Sequence, residues 1–250
     1  MRGIGTIVNF ASVIVGSLIG MFCKNGISER VRSIIMQASG ISVIFIGAAG
    51  AMSGMLKISD GAITSQNAML ITLSLVLGGI AGELINIEKR LDSMAEKLKR
   101  RVKDRGDSKF CEGFVTATLV ICVGAMAIVG PLKDGISGDA SMLFVKSVLD
   151  FVIIVVLAAI YGTGVLFSAF PLLIYQGLIT IFAVMIEPFM SDILISNLSC
   201  VGSHLVFGVG INLTFGNKIR VGNMLPAFIV PVVYEAAVGL PQFKKNGDFL

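Results

Sequence analysis

Few charged residues interrupt the long apolar runs of this 250-residue chain, and two of those few, Lys146 and Asp150, lie four positions apart. On a helix that spacing places both on one face, where they can pair. Near the outer start of an apolar run, they read either as an end-of-helix ion pair or as the charged lip of an outward-facing cavity. Uncharged polar residues extend the pattern. Asn9, Thr116, Gln176 and Asn212 stand in four different apolar runs, and Tyr175-Gln176-Gly177 brings a ring, an amide and a small residue together. Polar groups inside membrane-length runs are costly and usually face a bundle interior or a water-filled path. Asn9, Thr116, Lys146, Asp150, Tyr175, Gln176 and Asn212 are therefore the candidate lining of a path for a small solute or ion. Hydrogen bonding between helices is the competing use of the same groups.

The other chemistry-bearing residues are sparser. Glu83 and Glu112 flank a basic stretch and answer its cations or couple protons; Glu187 and Glu235 fall near run ends. His204 is the only histidine, with no carboxylate or cysteine at ligand spacing, so no metal is expected. Cys23, Cys111, Cys122 and Cys200 lack CxxC spacing and read as reduced packing residues. No metalloprotease, nucleophile-elbow, P-loop or dinucleotide signature occurs, so neither catalysis nor a cofactor is expected.

What must position these groups is a set of membrane helices. The chain is 55% hydrophobic and 14% charged with mean hydropathy +0.89, against about 25% charged in ordinary soluble domains. A spanning helix needs about 20 mostly apolar residues. Eight runs qualify: 4–22, 34–55, 67–87, 111–131, 145–165, 167–187, 193–214 and 224–240. The fifth and sixth are almost contiguous, the seventh is the most polar and the eighth is short, so seven to eight spans are expected in one all-α transmembrane domain over 1–250. The basic start and apolar run at the N-terminus imitate a signal peptide, but the run is long and lacks a small-residue cleavage site; it reads as a retained first helix.

Residues 88–109, between the first three spans (1–87) and the rest (110–250), carry nine of the 20 Lys and Arg residues, including Lys97, Arg100, Arg101 and Lys103. The loops on that side of an eight-span chain hold 14 of the 20, which orients the stretch to the cytoplasm and both termini outside. Lys244 and Lys245 fit that orientation poorly. Ile87, Leu91, Met94, Leu98 and Val102 form an apolar stripe at helical spacing, so the third helix is expected to run on from Asn67 to Arg105 and to end at Gly106. This helix reads as an anchor on anionic lipid headgroups, as a partner-binding helix or as a gate. The net charge of +4 comes with no nucleic-acid motif, and no nucleic-acid partner is expected.

Small residues cluster at Gly16/Gly20, Gly47–Ala51, Gly78/Gly82, Gly124–Ala127, Gly208/Gly210 and Ala236–Gly239. They predict close helix packing, and their 31-residue recurrence suggests a repeated helical hairpin. Glycine faces at the rim would also allow a homo-oligomer.

Several blocks, in order, then carry a resemblance: GTIVNFASVIVGSLIG, GELINIEKRL, FCEGFVTATLVICVGAMAIVGPLKDGISGD with KSVLD, GVLFSAFPLLIYQG and GVGINLTFGNKIRVGNMLPA. Together they resemble the bacterial domain-of-unknown-function 554 membrane proteins, the YqgA/YdfK-like family, over nearly the whole chain. The resemblance implies a multi-pass protein of the bacterial inner membrane, commonly labelled a candidate transporter, with no catalytic residues to carry over. The expected function is a transporter or channel-like permease for a small solute or ion; the alternative is a non-transporting scaffold that acts through its basic helix.

Overall fold

A computed structural model describes residues 2–24, 28–59, 61–102, 109–122 and 125–245. The chain folds into helices α1 (Ile4–Lys24), α2 (Glu29–Met55), α3 (Ala68–Ile85), α4 (Ile87–Val102), α5 (Phe110–Cys122), α6 (Ala125–Ser137), α7 (Ser141–Tyr161), α8 (Thr163–Phe167), α9 (Ala169–Ile181), α10 (Ala183–Ile186), α11 (Asp192–Phe215) and α12 (Ile229–Lys245). Two 3-10 segments, Glu187–Phe189 and Val221–Phe228, precede α11 and α12. A two-stranded antiparallel hairpin, β1 (Leu56–Ser59) and β2 (Ala62–Ser65), joins α2 to α3.

Among the described residues six segments are long and apolar enough to cross a membrane alone: Ile4–Cys23, Ser33–Met55, Ala68–Ile85, Ser141–Tyr161, Thr163–Ile181 and Asp192–Phe215. The run expected as one span at 111–131 is instead α5 and α6, bent by 59°, a seventh span when the pair is counted as one. Helix directions support that count. Gly5 faces Leu143, Gly16 faces Phe151 and Gly20 faces Val155, so α1 and α7 run parallel. Parallel directions require an even number of crossings between the two starts, which α1, α2, α3 and the bent pair supply. Val221–Ala237 is a shorter apolar segment and runs antiparallel to α3, with Ala227 against Gly78 and Asn223 against Gly82. It continues the alternation.

Glycine decides which helices meet. Along the α2–α11 seam Gly40, Gly47, Gly50 and Gly54 oppose Thr214, Phe207, Ser203 and Cys200, so these helices are antiparallel at backbone contact. The expected close packing is therefore found at Gly16, Gly20, Gly47, Gly78 and Gly82. The main partners, α1 with α7, α2 with α11 and α3 with the second 3-10 segment, are remote in sequence rather than successive arms of a hairpin. Gly124, Gly239 and Gly106 lie outside the residues or side chains described here.

The most polar expected span, α11, is also the most buried, 61% of it against 22% for α2 or α3. Its small residues let neighbours approach on several sides, so it packs in protein where the apolar α2 and α3 present side chains to lipid. Between α7 and α8 the chain reverses at Gly162, whose φ of +79° suits glycine. The near-contiguous fifth and sixth runs are thus separate spans, Ser141–Tyr161 and Thr163–Ile181.

The third helix does not run on to Arg105. It ends at Ile85, and Asn86 takes a left-handed conformation (φ 56°, ψ 58°) before α4 begins at Ile87. Asn223 fixes this corner by accepting from the Glu88 N–H at 2.7 Å and donating to Glu83 at 2.6 Å, while Arg220 pairs with Glu83. The stripe of α4 then turns inward. Ala95 is fully buried, Leu91 and Leu98 are half-buried, and α4 packs on α5 and on Val221–Phe228. Of the apolar stripe, Ile87, Leu91 and Leu98 thus serve the bundle while Met94 stays exposed, and Lys97, Arg100 and Arg101 are left on the exposed side. Lys103 lies outside the described residues.

A buried polar cluster as the candidate functional site

Lys146 and Asp150 occupy neither of the two settings their spacing suggested. Both are buried inside the bundle, 6% and 5% exposed, not at a wet helix end or an open lip. The reason is the partner helix. At α1 the glycines bring the backbone against α7, and Asn9, between Gly5 and Gly16, is carried into the same seam. Its amide nitrogen donates to Asp150 Oδ2 at 3.0 Å and to Gln176 Oε1 of α9 at 3.3 Å. Ser12 donates to the Asn9 carbonyl at 2.8 Å and so anchors the next turn.

The ammonium of Lys146 has two acceptors: the Asp150 carboxylate, with which it pairs, and the Ile121 carbonyl at 2.8 Å. Ile121 is among the last residues of α5, whose carbonyls lack a following helical N–H and carry the negative end of the helix dipole. The bend that divides α5 from α6 thus creates an acceptor that an unbroken span would have used internally. Asn9 and Gln176 are wholly buried, and the Gln176 Nε2 group has no hydrogen-bond partner among the described residues. The cluster lies about 8 Å along α1 and about 14 Å along α7 from their starts, at 1.5 Å per residue. It is closed to solvent at every member.

Of the seven path candidates, the fold gathers four: Asn9, Lys146, Asp150 and Gln176. Tyr175 is half-buried beside Cys122, which itself lies near Lys146 and Asp150, so this ring forms an outer wall. Asn212 is elsewhere and occupied: its Oδ1 accepts from the Lys218 and Ile219 N–H groups at 2.9 Å, and its Nδ2 donates to the Ile219 carbonyl at 2.7 Å. It staples the turn after α11. Thr116 lines a second cavity with Asn212, at the α4 end.

That cavity has a volume of about 160 Å3 and is walled by Glu88, Asp92, Glu112, Thr116, Tyr161 and Asn212. Burial, then repulsion from Asp92, holds the Glu88 carboxyl above its ordinary value; burial, then Glu96, does the same for Asp92. So α4 is cationic outside and acidic where it meets the bundle. Glu83, read as an answer to the linker cations, pairs with Arg220 instead. Among the described residues no group of three or more His, Cys, Asp or Glu could hold a metal ion. His204 hydrogen-bonds through Nδ1 to the Cys200 carbonyl at 2.8 Å.

Sequence reading passed over one buried carboxylate. Asp134 on α6 is fully buried and accepts from the Gly3 and Gly5 N–H groups, both at 2.9 Å, so it caps α1 from across the bundle. Its run, GPLKDGISGD, reads as a polar loop, and only the proximity of α1 gives it a role. Thr6 and Thr180, 3.3 Å apart, continue the seam between Asp134 and Asn9.

The profile of a protein family described as "Protein of unknown function (DUF554)" matches residues 4–236. The chain is 31% identical over 229 residues to "Uncharacterized membrane protein YdfK" of Bacillus subtilis (strain 168), covering 92% of this chain and 94% of that one. It is 26% identical over 238 residues to "Uncharacterized protein YqgA" of Escherichia coli (strain K12), covering 94% and 97%. No solved structure matches the chain.

Proposed function

We propose that this chain, which belongs to the DUF554 family of proteins of unknown function, is a permease of the bacterial inner membrane for a small solute or ion, with Asn9, Lys146, Asp150 and Gln176 as its binding site. One observation carries the reading. Four polar side chains from three helices meet in a closed interior, and one of their donors, Gln176 Nε2, is left without an acceptor among the described residues. Polar groups used only to join helices would be expected to satisfy one another, because each unsatisfied buried donor costs about 1–3 kcal/mol. A broken span that supplies a carbonyl at membrane depth supports the same reading, since irregular backbone is tolerated there where it lines a site. The excess of Lys and Arg at the α4 end orients that end to the cytoplasm, where anionic headgroups would meet Lys97, Arg100 and Arg101.

The reading is tested on the detergent-purified chain by thermal stabilisation against ions, amino acids and organic acids, followed by flux in liposomes. A saturable shift from one chemical class is expected, reduced in Asn9→Ala and Gln176→Ala, since a ligand of the folded state raises its stability. Unchanged flux in both variants would remove this lining.

One observation favours a second reading, a non-transporting scaffold. The stripe of α4 is docked while its cationic side remains exposed, as a recruiting surface requires. That reading expects neutralisation of Arg100 and Arg101 to abolish function with helix orientation unchanged.

A further inference from the structure

The orientation of the Gln176 amide follows from the cluster around it. A carboxylate only accepts, so Asn9 turns its Nδ2 group toward Asp150, and the same group donates to Gln176 at 3.3 Å. Gln176 therefore presents its oxygen to Asn9, and its Nε2 group points the other way. That group is wholly buried and, among the described residues, unpartnered. A buried N–H without an acceptor is costly, so whatever relieves it must bring a lone pair.

Charge narrows what can bring it. Lys146 and Asp150 pair, so the cluster is neutral as it stands. A cation or an anion lodged beside the pair would be an uncompensated charge in the interior, which is strongly disfavoured. A zwitterion avoids net charge but adds two ions that must be stripped of water. The cavity at the α4 end adds a filter of its own. It follows α5 from Glu112 to Leu119, and Ile121, whose carbonyl holds Lys146, comes two residues later, about 3 Å of helix rise. The charged walls of this approach are the carboxylates Glu88, Asp92 and Glu112, which repel anions.

We propose that the cluster binds an uncharged solute of the carboxamide or urea type. This deepens the permease reading and rests on it. The carbonyl oxygen of the solute accepts from Gln176 Nε2, and its N–H group donates to the Asp150 carboxylate, where the bonds from Lys146 and Asn9 both end on Oδ2. Asn9 already displays the fit, since its own carboxamide bridges Asp150 and Gln176. The Lys146–Asp150 pair stays intact, and no proton or charge moves.

The test follows uptake of labelled acetamide, urea, glycine, rubidium and lactate into liposomes holding the purified full chain, with protein-free liposomes as the baseline. For wild type, acetamide and urea should enter severalfold faster than the baseline, and glycine, rubidium and lactate at the baseline rate. Gln176→Leu lacks the donor and K146M/D150L lacks the carboxylate, so both should return the amides to the baseline, with thermal midpoints showing that each is folded. The selectivity of wild type stands without either variant. Amides entering wild type at the baseline rate, or entering folded Gln176→Leu as fast as wild type, overturn the proposal. If glycine, rubidium or lactate instead enters through wild type and is lost in folded Gln176→Leu, the amide class fails and the permease reading stands. If every solute enters wild type at the baseline rate, as expected where a water molecule alone satisfies Gln176, both fall.

Discussion

At the scale of single residues, the Lys146–Asp150 pair decides between a structural and a functional cluster, because a buried ion pair contributes little net stability relative to apolar residues of its size. Removing one partner is another matter. Asp150→Ala leaves the ammonium with only the Ile121 carbonyl, and the expected loss is about 3–5 kcal/mol, read as a lowered thermal midpoint in detergent. K146M/D150L strands no charge and should unfold within about 1–2 kcal/mol of wild type, since such replacements are often neutral or stabilising. Equal destabilisation in both would mean that the pair is a structural anchor. Spacing alone made this pair legible as same-face neighbours. Its surroundings were not legible, because Asn9 and Gln176 reach it across 141 and 26 sequence positions, the first by a direct bond and the second through Asn9. Asn212 looked equivalent to Asn9 in composition and context, yet its amide is spent on the turn at Lys218 and Ile219.

Among the helices, glycine positions set partners, and two neighbouring glycines on α3 give an internal comparison. A Cβ on Gly82 would collide with the backbone carbonyl of Asn223, whereas one on Gly79 would come no nearer than 3.9 Å to Met224. Gly82→Ala should therefore cost about 1–3 kcal/mol through forced separation of α3 from the Val221–Phe228 segment. Gly79→Ala should leave the thermal midpoint unchanged or slightly raised. A similar loss in both would remove close approach as the cause.

Helix α4 responds to pH for a related reason. Docking buries Glu88 beside Asp92, and both carboxyls are held above their ordinary values of 4.5 and 3.8. A group whose folded value is raised favours the docked state at low pH and loses that contribution as pH rises through the raised value. Hydrogen exchange across α4, corrected for the intrinsic rate, should therefore show more protection near pH 4, below the ordinary Glu88 value, than near pH 7.5, and Asp92→Asn should flatten the difference. Stronger protection at the higher pH would contradict this.

For the whole molecule, the parallel course of α1 and α7 and the antiparallel seams of α2 with α11 and of α3 with Val221–Phe228 fit one alternation of crossings. The β1–β2 hairpin and the turn at Gly138 then share one end, with α4 and the Phe215–Arg220 turn at the other. Single cysteines at Gly138 and Arg101, introduced into a chain whose native cysteines are replaced, should be labelled by an impermeant thiol reagent from opposite faces of the membrane. By the positive-inside bias, Arg101→Cys should react only after the membrane is opened. Labelling of both from one face would contradict the counting of α5 and α6 as one crossing.

The sequence by itself determined that this is an all-α polytopic membrane protein, where most of its spans lie, which helices pack closely, and which polar residues are worth suspecting. Those properties follow from composition and from spacings within one element, where apolar length and small-residue steps act locally. Tertiary structure decided the rest: the break within the fourth span, the corner at Asn86, the inward docking of the α4 stripe, the hidden cap at Asp134, and the gathering of Asn9, Lys146, Asp150 and Gln176 to the exclusion of Asn212 and Thr116. A polar side chain in an apolar run must find a partner, but the partner is chosen by which backbones can touch. Here that is set by glycines on helices far apart in the chain.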